Sequence, residues 1–314
     1  MGLLLEGQAG EAEIAGFLIA LKMKGETAAE IAGFARAMRD RMIVVDAGPA
    51  VIDTCGTGGD GFGTFNISTA VALVMAGAGV HVAKHGNRSI SSSSGSADVL
   101  EALGVRITDV PPEEAGRSIR EIGIGFLFAP ALHPGMKHAQ AVRRALKTRT
   151  VFNLLGPLAN PARASAQLIG APSPEAAKLM AEALARLGTT RSFVVHGHDG
   201  LDEITTTAAT DVYEVTAKGM KKHVWKPGDF GMHMALLDSL KGGDSQCNAQ
   251  IILEILRGNP GPCRDIVMVN AAAGLFAAGL VADLRAGVES AARSIDSGAA
   301  AAKLELLKKN FPNK

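Results

Sequence analysis

The sequence predicts an α/β fold with a small helical unit at its start, and three observations predict it. Residues 11–23 and 27–39 carry apolar side chains at helical spacing, Ile14, Phe17, Leu18 and Leu21 in the first, and no strand pattern appears before Ile43. From Val51 onward short apolar runs alternate with helical ones, the pattern of a mostly parallel sheet with helices on its faces. The loops after the first two runs consist largely of Gly, Ser, Thr and Asn, and an open α/β sheet takes its ligand at the carboxyl ends of its strands.

Composition narrows the class. The 314 residues suffice for one large domain or two unequal ones, and 47% apolar with 20% charged residues describes an ordinary globular protein. A net charge of +1 argues against a dedicated nucleic-acid binder, which carries a basic excess or stripe. Cys55, Cys247 and Cys263 form no spaced framework, which suits a reducing compartment. The apolar run at residues 2–5 is too short for a signal peptide and no stretch is long enough to span a membrane, so the expectation is a cytoplasmic protein with no membrane partner.

In chain order, a turn at Gly25 separates the first two helices, and Ala47-Gly48-Pro49 forms a hinge into the α/β region. After Val51-Ile52 come Gly56, Gly58, Gly59 and Gly61, then Asn66, Ser68 and Thr69 before a helical run at 70–78. A strand at 80–83 leads into Lys84-His85-Gly86-Asn87-Arg88-Ser89, serines fill 91–94, and Ser96 caps a helix at 97–103 that stops at Gly104. Further strands are expected at 126–129 and 193–196, and helices at 137–146 and 175–187. A Gly/Asp turn at 241–244 precedes helices at 248–257, 266–279 and 285–307, the last two alanine-rich and read as scaffold.

The two loops share a purpose. Glycines let backbone N–H groups line a concave anion site, and a helix start behind them adds the positive end of its dipole. Lys84 and Arg88 add full charges, so the pair suits a ligand with more than one phosphate. Gly56, Gly58 and Gly61 match G-x-G-x-x-G, but residues 62–65 intervene before the helix, and no acidic residue ends the second strand; a Gly-Lys-Ser/Thr loop is absent. Cys55 reads as a small buried residue, and His196-x-His198 lacks a third ligand at metal spacing.

The ordered blocks Gly56-Thr57-Gly58-Gly59-Asp60, Asn66-Ile67-Ser68-Thr69, Lys84 to Ser89 and Gly95-Ser96-Ala97-Asp98 resemble the signature of the anthranilate phosphoribosyltransferases. His133-Pro134-Gly135-Met136, the run from Arg149 to Leu158 and Asp199-Gly200-Leu201-Asp202-Glu203 extend the resemblance toward the C-terminus. It implies a small discontinuous all-helical domain beside a larger α/β domain, divided as residues 1–47 (helical), 48–133 (α/β), 134–150 (helical) and 151–314 (α/β), with the active site in the cleft between them. It also implies Mg2+-dependent transfer of the phosphoribosyl group from phosphoribosyl pyrophosphate to the amine of anthranilate, in tryptophan biosynthesis.

The residues the resemblance assigns to phosphoribosyl pyrophosphate are Gly56, Gly59, Asp60, Thr64, Asn66, Ile67, Ser68, Thr69, Lys84, His85, Gly86, Asn87, Arg88, Ser89, Ile90, Ser91, Ser92 and Ser96. Ser68 is implied to hold one Mg2+ while Asp202 and Glu203 hold a second. A carboxylate at Asp60 either orders the glycine loop or reaches metal-bound water. Anthranilate needs a bidentate partner for its carboxylate; Arg143 and Arg144 both qualify by position, and the family block matches Arg143, with Gly56 and Asn87 as further contacts. His85 either accepts the amine proton or orients the substrate.

The resemblance implies a homodimer built through the helical domain. Two features depart from the pattern: only residues 1–10 precede the first long helix, where relatives carry an additional one, and Ser93 stands where the family often has lysine. A nucleoside phosphorylase of the same fold is the first rival, but its glycine and lysine-serine motifs differ. A non-catalytic nucleic-acid-binding relative is the second, and the neutral charge together with Asp202, Glu203 and Arg143 speaks against it.

Overall fold

The computed structural model describes residues 1–58, 61–89 and 93–313. Three helices open the chain: α1 (Gly2–Leu5), α2 (Glu11–Lys24) and α3 (Ala28–Arg39). Thr27 caps α3 reciprocally with Glu30, each side chain bonding the other's backbone N–H. Their buried face, Leu4, Leu5, Ile14, Leu18, Leu21 and Ile31, is completed by Ala139 and Val142 of a later helix, α8 (Lys137–Leu146), which packs on α1 and α2. The chain thus leaves and re-enters this helical layer.

The rest is built on a seven-stranded sheet. Its strands are β1 (Ile52–Gly56), β2 (Val82–Gly86), β3 (Ile124–Phe128), β4 (Ala166–Gly170), β5 (Arg191–Gly197), β6 (Thr210–Thr216) and β7 (Gly219–Trp225), in the order β3-β2-β1-β4-β5-β6-β7. The first five run parallel and the last two antiparallel. Progression from β1 goes outward through β2 and β3, then resumes on the other side with β4. The carboxyl ends of β1 and β4 therefore flank the switch point where such sheets bind ligands.

Helices cover both faces. On one side α4 (Ile67–Gly77) is buried along almost its whole length between the sheet, α12 (Pro262–Ala277) and α14 (Ala299–Asn310). Close packing there depends on small residues: a Cβ at Gly274 would meet the Met75 sulfur at 2.5 Å, and one at Gly77 the Ala300 nitrogen at 2.6 Å. α5 (Ser96–Ala102), α6 (Pro112–Ile122), α11 (Ser245–Leu256) and α13 (Leu284–Asp296) complete the α/β region around it. On the other side α10 (Pro174–Leu187) joins β5 and β6 to the helical layer through Met180, Leu184, Val194 and Val215. The short helices α7 (Ala129–Leu132) and α9 (Phe152–Leu155) flank α8.

Several elements differ from the sequence expectation. Ser68 and Thr69 lie inside the first turn of α4, and Lys84 and His85 lie within β2 rather than beyond it. Gly95, not Ser96, caps α5: its N–H donates to Asp98 Oδ2 at 2.8 Å, while the Ser96 hydroxyl donates to the Asn87 carbonyl. The helix expected at 285–307 is two helices, because Gly298 takes φ 77° between α13 and α14. Among the described residues no helix is long and apolar enough to cross a membrane.

Candidate active site

At the switch point the first parallel strand ends in bare backbone. The Thr57 N–H donates to the Gly170 carbonyl at 3.0 Å, which ties the end of β1 to the end of β4. Above them passes the loop after β5, brought so close that a Cβ on Gly170 would sit 1.6 Å from the Asp202 carbonyl oxygen and one on Gly56 2.7 Å from Asp202 Oδ2. At Gly170, where the atom met is backbone, only glycine permits the approach. Asp202 accepts the Gly58 N–H on Oδ2 at 2.9 Å, and Arg149 donates to the Gly58 carbonyl from the other side.

The Asp202-Glu203 loop is itself held from two directions. Asp199 accepts hydrogen bonds from Thr205, Thr207 and the Leu201 N–H. Asn270 of α12, fully buried, accepts the Ile204 N–H at 3.0 Å and donates to the Ile204 carbonyl at 2.8 Å, clamping the backbone next to Glu203.

Lys84 is only 3% exposed, and its ammonium donates to the Thr54 carbonyl at 2.7 Å and to Ser68 Oγ at 3.2 Å. The buried Asp53 carboxylate accepts the His85 N–H at 3.1 Å and the Asn160 amide at 2.8 Å. Burial pushes the Lys84 ammonium below and the Asp53 carboxyl above its ordinary pKa; each charge opposes the shift of the other, and Glu203 also favours the charged lysine. Asn160 donates in addition to the Ala83 carbonyl, which locks β2 beside β1.

His85 points to the opposite face. Its Nδ1 lies 3.2 Å from the Gly156 carbonyl, an acceptor only, so Nδ1 carries the proton. His133 packs against it with ring centroids 5.1 Å apart, and among the described residues neither Nε2 has a partner. Burial, with the neighbouring His133, lowers the His85 pKa to about 3, and burial lowers that of His133 to about 4. Both rings are neutral at physiological pH. Between α8 and α9, Arg143 lies over the Phe152 ring at 5.2 Å, half-buried, whereas Arg144 is exposed.

The structure gathers Gly56, Ser68, Lys84 and Asp202 at one end of the sheet. Thr64 pairs with Lys241, Ile67 sits in the core, and Thr69 is buried in the first turn of α4. A Cβ at Gly86 would strike Ser96 Oγ at 2.2 Å. Asn87 accepts the Arg88 N–H and the Ser89 N–H reaches Asp98, while Arg88 is engaged by Glu101 and Asp98. Gly59, Asp60, Ile90, Ser91 and Ser92 lie outside the described residues. Cys55 is buried with its thiol pushed well up, chiefly by burial, and His196 and His198 bond Ala171 and Asp211, so these are structural groups.

Comparison with known proteins decides the family. Residues 48–301 match the model of the glycosyl transferase family a/b domain, and residues 1–42 match its helical bundle domain. An anthranilate phosphoribosyltransferase of Solibacter usitatus is 58% identical over 98% of this chain and 91% of its own length. The chain belongs to the anthranilate phosphoribosyltransferase family. It is accordingly a glycosyltransferase-family enzyme. A crystal structure of a family member from Thermus thermophilus superposes with a TM-score of 0.93 at 46% identity, covering 98% of this chain and 92% of that one. The Saccharomyces cerevisiae member, in complex with PRPP and Mg, superposes with a TM-score of 0.88 at 31% identity, covering 96% and 85%.

Sequence reading gave no role to several residues that shape this site. For Asp53 the available signal is a carboxylate inside a run of apolar and small residues. Asn160 and Asn270 carry no comparable signal, and His133 and Arg149 stand only within blocks that resemble the family.

Proposed function

We propose that the chain transfers the phosphoribosyl group of phosphoribosyl pyrophosphate to the amine of anthranilate, releasing pyrophosphate, as a cytoplasmic step of tryptophan biosynthesis. The observation that carries this reading is the meeting of the glycine-loop backbone, Lys84, Ser68 and the Asp202-Glu203 loop at the switch point of the sheet. A bond forms from the amine nitrogen to C1 as the bond from C1 to pyrophosphate breaks. The departing pyrophosphate keeps that electron pair, and the amine proton passes to water or to the phosphate.

Hydroxyl and carboxylate oxygens, the donors of Ser68, Asp202 and Glu203, are the hard ligands Mg2+ takes alongside substrate phosphates. Bound there, two Mg2+ ions supply positive charge against the leaving group. The protein positions the rest: the glycine-loop backbone and Lys84 take the phosphates, where fixed dipoles need no reorganisation. Asn66, Thr69 and the segment 84–92 with Ser96 complete that side. Arg143 pairs with the anthranilate carboxylate, with Asn87 and Gly56 beside it. A ring nitrogen with a pKa of about 3 is a poor proton acceptor, which favours the orienting role for His85.

Residues 1–47 and 134–150 form one helical unit in this reading, 48–133 and 151–314 the α/β unit, and the homodimer joins through the helices. Loss of anthranilate fluorescence on mixing protein, both substrates and Mg2+ tests the reaction. Loss that requires all three supports it, with chelator abolishing and added Mg2+ restoring it; folded protein that leaves anthranilate untouched under these conditions refutes it.

A further inference from the structure

The first turn of α11 holds a residue that belongs to none of the family-like blocks. Asn248 is 2% exposed, and asparagine is neither a strong helix former nor cheap to bury. Among the described residues its amide makes two hydrogen bonds, both outside its own helix. Nδ2 donates to Asn66 Oδ1 at 2.9 Å, across 182 residues of sequence, and Oδ1 accepts the Gly243 N–H at 2.8 Å. Asn66 in turn donates from Nδ2 to the Ser94 carbonyl at 3.1 Å, and its Oδ1 also accepts the Ser94 hydroxyl at 3.2 Å. One amide relay thus connects α11, the residue before α4 and the end of the serine loop.

Its direction is fixed at both ends by backbone. The Gly243 N–H can only donate, so Asn248 must turn Oδ1 toward it and Nδ2 toward Asn66. The Ser94 carbonyl can only accept, so Asn66 must turn Nδ2 toward it and Oδ1 toward Asn248. The two amides therefore fit in a single arrangement, and reversing either one sets like against like. The surrounding backbone is built around the relay. A Cβ on Gly242 would lie 2.4 Å from Asn248 Oδ1 and 2.7 Å from Phe65 Cα. The Gly242 N–H donates to the Gly63 carbonyl at 2.8 Å, and Lys241 pairs with Thr64. The strip from Lys241 to Gly243 is thereby laid along residues 63–65 of the glycine loop.

We infer that Asn248 is a positioning residue that sets the spacing of the glycine loop and the serine loop for the phosphoribosyl pyrophosphate half of the site. The inference rests on the functional reading above and assigns part of substrate binding to a helix outside all the recognised motifs. Among the described residues neither hydrogen bond of the Asn248 amide reaches the α8 and α9 side, where the proposed function puts anthranilate. Its loss acts on one substrate.

Steady-state kinetics of the full chain test this, with Asn248→Ala, Asn248→Asp, Ser94→Ala and the double variant Asn248→Ala/Ser94→Ala. The Asp variant keeps size and the bond from Gly243 but presents an acceptor to Asn66 Oδ1. The expected result is a KM for phosphoribosyl pyrophosphate raised at least about tenfold in both Asn248 variants, with the KM for anthranilate within about twofold of wild type, as loss of a buried, directional amide bond implies. The double variant should show much less than the product of the two single effects, because the Asn248 amide and the Ser94 hydroxyl donate to the same Asn66 Oδ1. The thermal shift produced by phosphoribosyl pyrophosphate with Mg2+ should shrink in parallel, and the near-isosteric Asn248→Asp carries the test if Asn248→Ala does not fold.

Equal rises in both KM values, multiplicative effects, or an Asp variant indistinguishable from wild type overturn the inference while leaving the reaction standing. A wild-type protein without transferase activity overturns the functional reading first, and the inference with it.

Discussion

His85 and His133 show what burial does to a group that sequence offers as a base. Their unfolded pKa is near 6.5, and in the fold the values fall to about 3 and about 4. Between those limits the unfolded chain takes up protons that the native protein refuses, so stability is full above about pH 6.5 and is lost as pH falls. Well below that value each histidine contributes about 1.4 kcal/mol of loss per pH unit. Urea unfolding at pH 7, 6 and 5 should show this slope, and His133→Gln should flatten it; an unchanged slope would rule out the buried neutral ring. Arg143 is legible in another way. Burial lowers its pKa, yet a guanidinium stays charged, and its position over the Phe152 ring limits its freedom; in the proposed reaction it pairs with the anthranilate carboxylate. Arg143→Ala should raise the KM for anthranilate roughly 10- to 100-fold, with that for phosphoribosyl pyrophosphate little changed. Similar effects on both substrates would remove the dedicated carboxylate contact.

The end of β4 and the loop after β5 act as one unit, because Gly170 lets the Asp202 backbone rest directly on the strand. A methyl group there cannot be absorbed by a rotamer, since the atoms it meets are the carbonyl oxygen and carbon of Asp202. Gly170→Ala should therefore shift the acidic loop by about an ångström, lower activity on the order of a hundredfold and reduce Tm. A fully active, equally stable variant would show that the loop is not set by this contact. Sequence legibility follows the same division. Helices α2, α8 and α10 were readable within a residue or so because their apolar spacing is local. The β6–β7 hairpin was not: β7 is an exposed edge whose Met220, Lys221, Lys222 and His223 show no alternation, and it is held by pairing with β6 rather than by burial. In the site, glycine and serine clusters announce themselves over a few residues. Asn248 and Asn270 do not, since their partners lie in other parts of the chain and only the fold brings them together.

For the molecule as a whole, the helical layer and the α/β region share a buried cluster. Side chains of α2 and α8 lie in the same apolar group as Ile169, Val194 and Val215 of the sheet, so movement between the two parts is resisted by continuous packing. The strand order has a further meaning in time. β1 is central, yet the neighbour that closes one of its sides begins where Ser165 meets Val51, 114 residues later in the chain. At synthesis rates of about 5–20 residues per second, that interval is roughly 6–23 s. Throughout it the middle of the future sheet has one row of unpaired backbone groups, an invitation to any other extended segment nearby. The ribosome delivers the strand that carries the glycine loop early and its second neighbour late, so the nascent chain is most exposed to misassembly before β4 has emerged.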